Sequence, residues 1–556
     1  MKAKKLLTTS IASVLALSTV CSLTACGGNQ NDPDLNDPSV LNIVMPDLGY
    51  GTDWMMAVAQ GFTAKTGTKV NVDVTPNEAN YVTSMYAGTA KYDIYVARVN
   101  PYSLVTNNQS NVSGYDCVLA ELDDVYNSEL DGENKTVKQK MKAVYEASNR
   151  VYPDVSSDTY HYYSMNWCDS AFSLVRNMDV WQDAWKVPNT TKELLALSET
   201  IKNYDGNTDG KADGYVPYIW SSQASYWWSA ANIWVTQYQG LEDMYGMQTG
   251  KGFWRGYNEA GEVNKPDMWQ RIGMKYAFQV LDELVKPANG YQHEYSTTVD
   301  FTSAQGYFMT PANNIAMMAN GDWLYKEMAK NYPTAKLDMM KMPIISEIIE
   351  HEKCASIADD AELSALVKAI DAVVDNGGDK SGVALSGDGY SVDQDALDKV
   401  FEARTMYTCG ANANHVMVTP AYSDTLTQAK AFYKYLASEE GLKLFTESSG
   451  GFTLGFETSE AVRTASSSVA NDFVKSSEKM KQGSEVAPWP VYLSRLFSVG
   501  GMPLYGVIEK SYQFPELIFS QEDKTGSDYM TGAELYNWNV DHANTKFAEW
   551  MSAAGL

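Results

Sequence analysis

The chain has 556 residues and a formal net charge of −26, with 43 Lys and Arg set against 69 Asp and Glu. It is too long for one ordinary domain and fits about two to four. Such acidity argues against nucleic acid as a partner, because phosphate binding needs clustered Lys and Arg, and it is chiefly a statement about solubility.

The first segment reads as an export signal. Lys2, Lys4 and Lys5 form a positive start, followed by a short apolar stretch and then Leu23-Thr24-Ala25-Cys26. The stretch is too short to span a bilayer, which takes about twenty apolar residues. Small residues ahead of a cysteine resemble the bacterial lipobox, in which cleavage precedes the cysteine and its thiol receives a diacylglycerol. That resemblance implies a lipoprotein signal peptide over 1–25 and lipidation of Cys26, with the protein held at the extracellular face of the cell membrane. Residues 26–39 are polar, rich in Asp, Asn and Pro, and suit a flexible tether. No later segment is apolar enough to span a membrane.

Residues 41–45, Leu-Asn-Ile-Val-Met, predict a buried strand, and 54–66 predict a helix stopped by Gly67. Residues 69–74 alternate, with Val70, Val72 and Val74 on one face, and 93–97 predict a further short strand. This β-α-β opening predicts a parallel sheet. Ligand crevices in such sheets lie beyond the carboxyl ends of the strands, so the loop after the first strand should edge the site. That loop makes Tyr50 and Trp54 candidates, with core packing as the alternative for Trp54. Four cysteines follow Cys26, namely Cys117, Cys168, Cys354 and Cys409; none forms a CxxC pair, and their disulfide pairing is left open.

The sharpest chemical motif follows a predicted helix over 191–203. It runs Asp205-Gly206-Asn207-Thr208-Asp209-Gly210-Lys211-Ala212-Asp213, or D-x-N-x-D-G-x-x-D. Oxygen ligands at alternate positions wrap a hard cation, and glycine permits the sharp turn. Asp205, Asn207, Asp209 and Asp213 would supply side chains and Lys211 its carbonyl, holding a structural calcium. The alternative is a plain polar turn.

Next comes a run of aromatics: Tyr218, Trp220, Tyr226, Trp227, Trp228 and Trp234. A surface helix buries one stripe, so adjacent Trp227 and Trp228 should not both be buried. Flat rings with a polar edge suit sugars, whose C–H faces stack while hydroxyls reach nearby polar groups. Trp220, Trp227 and Trp228 are therefore ligand candidates, with at least two in the set expected to line a site; the alternative for each is a core aromatic. Later, Ala429, Phe432, Tyr433 and Leu436 mark one helix face.

Several motifs in order carry a family resemblance. They are Phe62 to Val70 (F-x-x-x-T-G-x-x-V), Tyr92-Asp93-Ile94, Val187 to Leu195, Ala304 to Trp323 ending in Asn320-Gly321-Asp322-Trp323, and Ala429 to Leu436. Together they resemble extracellular solute-binding proteins of the maltose-binding type, the receptor subunits of ABC sugar importers. Arg176 stands where the family usually has tyrosine, and Lys192 where it commonly has tryptophan. The resemblance implies an α/β, two-lobed periplasmic-binding-protein-like fold with a hinge and an interlobe cleft. Carried onto this chain, lobe one takes 40–165 and 404–447, lobe two takes 166–345 and 448–556, and 346–403 form an insertion.

It further implies a monomeric, non-enzymatic receptor that captures an oligosaccharide and hands it to the transmembrane permease subunits. Trp323, with Asp322 beside it, takes the place of the family's sugar-stacking tryptophan. Asn166 and Trp167 fall on the first interlobe segment, and Asn412 on a glycine-containing segment before a return strand. Trp489, between Pro488 and Pro490, is rigidly presented. Some oligosaccharide-binding members carry the Asp205–Asp213 type of loop with a Glu after its last Asp, where this chain has Gly214. Two alternatives stand beside this reading. One is the same fold binding a peptide or other solute. The other is an extracellular carbohydrate-active enzyme, although neither GxSxG nor HExxH occurs.

Overall fold

The computed structural model describes residues 37–47, 49–75, 78–106, 112–151, 153, 159–244, 270–409, 415–487, 514–521 and 529–554. Cys26, Asn412 and Trp489 lie outside the described residues.

Two sheets organise the chain. The first opens with β1 (Val40–Met45), buried along its whole length, then the helix Asp53–Thr66 and β2 (Lys69–Val74). Gly67 ends the helix at φ 78, a left-handed backbone that glycine adopts without a Cβ penalty. β1 pairs in parallel with β2 and with β3 (Ile94–Arg98), as the β-α-β pattern predicts. β2 is the sheet edge. Its Val70 and Val72 lean on the first core, while Val74 is 46% exposed rather than sharing their burial.

The chain leaves this sheet through the short β4 (Met165–Asn166) and enters the second as β5 (Ala171–Asn177). The second sheet adds β6 (Val216–Tyr218), β7 (Ile315–Gly321), β8 (Leu337–Met340) and β9 (Met406–Cys409). β10 (His415–Val418) then returns to the first sheet, and β11 (Glu485–Ala487) closes the edge of the second. The orders are β2-β1-β3-β10-β4 and β11-β9-β5-β7-β6, with β8 also paired to β5. Because β9 pairs antiparallel with β5, the expected return to lobe one at residue 404 is corrected to the step between Cys409 and His415.

Residues 346–403 are built into the second lobe. The helices Asp360–Val374 and Gln394–Arg404 place Leu363, Leu366, Val367, Ile370, Leu397 and Val400 in the same core as Trp228 and Phe278. A buried ion pair fastens them. The Arg404 guanidinium donates to Asp371 at 2.9 and 2.6 Å and to the Met342 carbonyl at 3.0 Å. Among the described residues no helix is long and apolar enough to cross a membrane.

Arg404→Ala leaves Asp371 a mostly buried charge whose remaining cation is Lys341 at 3.1 Å. Breaking such a pair costs about 2–3 kcal/mol when one partner keeps some solvent. Denaturant unfolding of the variant is expected to show that loss. An unchanged midpoint would mean that the helix pair docks by apolar contact alone.

Candidate functional site

The site begins where β7 ends. Gly321 closes the strand, Asp322 follows and Trp323 turns back over it. A Cβ on Gly321 would sit 2.1 Å from the Trp323 ring, so only glycine leaves room for the indole to fold there. The ring is half-buried, meets Phe172 at 5.5 Å and Tyr226 at 6.5 Å, both edge-on, and packs against both of the large hydrophobic clusters. From the first lobe, the loop after β1 closes on it. A Cβ at Gly49 would lie 3.1 Å from the Trp323 Cβ, and one at Gly51 would lie 3.1 Å from Lys326 Cε.

Four more side chains share this space. Arg98, at the end of β3, grips Glu78 through Nε at 2.9 Å and Nη2 at 2.6 Å, while its own amide donates to Glu78 at 3.0 Å. The Arg98 charge is felt at Tyr226, Glu327 and His415, so residues of both lobes lie within its electrostatic reach. Burial pushes His415 down to about 3, with Arg98 adding to the effect, so it is a neutral imidazole at neutral pH. Burial raises the Glu327 carboxyl, which accepts a bond from Gln305 at 3.3 Å. The cleft thus offers a half-buried indole, a phenol, a guanidinium, an imidazole and two carboxylates. Flat apolar faces and directional donors and acceptors are what a polyhydroxylated ring needs.

The remaining candidates fall elsewhere. Asp322 is fully buried and is a structural anchor. Its Oδ2 accepts the Ala171 amide at 2.9 Å and lies 3.2 Å from Lys481 Nζ, while its Oδ1 accepts the Tyr50 hydroxyl at 3.2 Å. Tyr50 is therefore a clasp between the lobes, 2% exposed and stacked on Phe452 at 4.3 Å, instead of an open wall of the cleft. Trp54 is core, stacked on Trp167 at 6.2 Å. Trp167 is 4% exposed and reaches the cleft only through its contact with His415 at 5.3 Å. Asn166 is held within the first lobe by the Asn149 amide at 2.5 Å.

The aromatic run corrects the largest expectation. Trp220, Trp227 and Trp228 are all core, at 1%, 0% and 1% exposure. The short helix Tyr226–Ala231 is covered on two sides, so adjacent indoles each find a wall. Trp227 meets Tyr218 at 5.0 Å and Trp228 meets Phe278 at 5.0 Å. The residue of the run that reaches the cleft is Tyr226, at the helix start. Glu327 and Arg98 were missed because neither stands in a motif. Arg98 could have been marked as the last residue of a parallel strand, where crevices form.

The loop 205–213 is a ring of side-chain-to-backbone bonds. Asp205 accepts from the amides of Asp209 at 3.1 Å and Gly210 at 2.8 Å, Asn207 from Asp209 at 2.9 Å, and Asp209 from Lys211 at 2.9 Å. Asp213 accepts from Gly206 at 2.8 Å and from the Asn207 amide at 2.9 Å. Thr208 and Gly210 take positive φ of 60 and 84, as a tight oxygen-lined turn requires. The backbone ring fits a hard cation, and each carboxylate keeps lone pairs for one. Its carboxylates are less tightly gathered than Glu121, Asp123 and His161, the trio among the described residues whose ligand atoms all lie within 4.8 Å of one another. That trio is already bonded internally, with His161 Nδ1 at 2.8 Å from Asp123.

No protein-family model matches the sequence, and no curated protein matches it. Among solved structures the chain is similar to the solute-binding protein RafE in complex with raffinose, at 13% identity and a TM-score of 0.50, over 91% of this chain and 99% of that one. It is similar to the apo form of RafE from Streptococcus pneumoniae at 14% identity and a TM-score of 0.50, over 91% and 98%. The GacH receptor of Streptomyces glaucescens, solved unliganded and with acarbose and an acarbose homologue, gives 14% identity and a TM-score of 0.49, over 92% and 98%. The chain thus has the two-lobed, periplasmic-binding-protein-like α/β fold. The resemblance read from its motifs holds at the level of that fold.

Burial raises Asp322 to about 6 in spite of the Lys481 ammonium beside it. The sign of its pH effect follows. A carboxyl whose folded pKa lies above its unfolded value near 3.9 binds protons better when folded, so its ionisation weakens the fold as pH rises from about 4 to about 6. Asp169, held down at about 2, acts oppositely, and its contribution is lost as pH falls through that value. Asp322→Asn removes only the first effect. The variant is expected to gain about 3 kcal/mol on the unaltered protein between pH ~4 and pH ~7. Parallel stability curves would refute a titrating Asp322.

Proposed function

We propose that this protein is a membrane-anchored extracellular receptor that captures a carbohydrate, an oligosaccharide by the resemblance, in its interlobe cleft and delivers it to an ABC transporter permease. The observation that carries the reading is the Trp323 indole, half-buried at the junction of two separate cores, with Tyr226, Arg98, Glu78, Glu327 and His415 around it. RafE, of the same fold, was solved with raffinose. A binding role rather than turnover agrees with that fold and with its two sugar-linked neighbours. A sugar stacks on the indole and phenol of the second lobe, and the first lobe supplies Arg98 and Glu78 as the hinge closes. Closure is a population shift driven by better contacts in the closed state. The signal over 1–25 and Cys26 supply export and the lipid anchor, and the chain acts as a monomer.

Calorimetry against raffinose and a panel of other oligosaccharides tests this reading. Micromolar binding without product formation is expected, and Trp323→Ala should weaken it about tenfold or more while the protein stays folded. Binding to no sugar, or unchanged affinity in the variant, would sink the assignment. Appearance of shorter sugars would convert the receptor into an enzyme.

The loop 205–213 is proposed to hold a structural calcium, with Asp205, Asn207, Asp209 and Asp213 as side-chain ligands and the Lys211 carbonyl as a further one. Its charge would offset the mutual repulsion of the three aspartates. Calcium at millimolar concentration should raise the melting temperature by several degrees, and Asp209→Asn should abolish that increment. Equal increments in both proteins would place the ion elsewhere.

A further inference from the structure

A second cavity lies away from the cleft, and none of its lining residues belongs to the cleft. It has a volume of about 1050 Å³ and lies between residues 138–146 of the first lobe and residues 453–485, which carry the chain back to the second. Its lining reverses the charge balance of the molecule. Six cations face four carboxylates there, whereas acids outnumber bases 69 to 43 in the whole chain. Serine and threonine hydroxyls complete the wall.

The cations stand on both walls. From the first lobe, Lys138 lies over the rings of Tyr160 and Tyr162 at 5.7 and 6.0 Å and donates to the Tyr160 hydroxyl at 3.4 Å. From the second, Lys475 pairs, among the described residues, with Asp472 of its own helix at 4.0 Å, a fully exposed partner. Arg463 is half-exposed and shares its charge with Glu460. Deeper in, Lys142 and Lys481 are committed to the hinge. Lys142 pairs with Asp169 at 2.6 Å, and Lys481 bonds the Asp169 carbonyl and lies 3.2 Å from Asp322.

We propose that this groove is a binding site for a small polyanion, a polycarboxylate or a phosphorylated compound, and that its occupancy weakens closure of the sugar cleft. Lys138 and Lys475 contact the anion from opposite walls, with Arg463 beside them. Without an anion, like charges on the two walls repel and hold the groove wide. An anion neutralises and bridges them, drawing the walls together. The crossing segment around Asp169 joins the two lobes, and both Lys142 and Lys481 of the groove bond Asp169 there, so drawing the groove walls together acts on the hinge itself. The path from groove to cleft is short: Lys481 contacts Asp322, which immediately precedes Trp323. Binding of the anion itself is independent of the carbohydrate reading; only the coupling rests on it.

Pyrophosphate and citrate are the probes. Calorimetry of the purified protein at low salt should show saturable binding of at least one of them. The double variant Lys138→Ala, Lys475→Ala should lose about tenfold or more in affinity, while a control pair on the same lobes away from the groove, Lys434→Ala with Lys330→Ala, should not. Small-angle scattering should show a larger radius of gyration with the anion bound, whether or not a sugar ligand is known. Once a sugar is known, its dissociation constant should rise at saturating anion, by the factor with which sugar weakens the anion. No binding of either probe, or equal loss in the control pair, would overturn the site. Groove-dependent binding with an unchanged radius of gyration would overturn the coupling. Absence of sugar binding with the anion results intact would instead fall on the carbohydrate reading.

Discussion

The arrangement of the two lobes depends on a buried set of charges where the chain crosses between them. Asp169, fully buried in the crossing segment, sits between Lys142 of the first lobe and Lys481 of the second, and its carboxylate accepts hydroxyl bonds from Tyr145 at 2.6 Å and Tyr407 at 2.8 Å. Lys481 then reaches Asp322 and Glu478. Burying charges is expensive unless each is paired and hydrogen-bonded, and removing one partner strands the others. The network is nearly saturated, and it penalises any rearrangement that separates its members. It defines where the lobes meet while leaving their outer parts free to move.

That constraint explains why Asp322 and Tyr50 are buried anchors. Both stand beside the predicted site in sequence, yet both belong to the network, with the Tyr50 hydroxyl donating to Asp322 across the lobe boundary. The half-buried positions are their neighbours, one or a few residues away. Trp323 follows Asp322, and Gly49 precedes Tyr50 and gives the indole its clearance. Anchor and wall alternate along the same short segments, so the wall inherits its position from a buried ion. Rigid support of this kind is what a recognition surface requires.

The fold was largely legible in the sequence, because its signals are local. Val40–Met45, Asp53–Thr66 and Lys69–Val74 each announce their period and their stop, and three such elements in order imply a parallel sheet. The close approach of Trp323 to Gly321 was legible too, through the glycine two residues before the indole. The aromatic run misled because periodicity describes a helix with one covered side. Trp227 and Trp228 sit on a helix enclosed between Tyr218 and Phe278, where both neighbours are buried. The role of 346–403 was illegible for a related reason. Their apolar positions fill a core made chiefly by residues far away in the chain, and the ion pair between Arg404 and Asp371 joins two helices that no local pattern connects.

Low sequence identity with a retained fold is itself a physical statement. At 13% identity to RafE, over 91% of this chain and 99% of that one, the fold is shared because a fold rests on burial pattern and chain connectivity, which many residues satisfy. A site is less forgiving, since it depends on particular groups at particular depths. In this chain the Arg98 guanidinium donates twice to one oxygen of Glu78 on the first lobe, and the second lobe carries Glu327, raised by burial, so the polar groups here are charged. An ion pair already satisfied by its partner presents fewer free donors than an isolated arginine, and a carboxylate raised by burial favours hydroxyl donors over cations that would have to shed water. Charged residues built this way suit the neutral, hydroxyl-rich solutes of the proposed function better than charged ones.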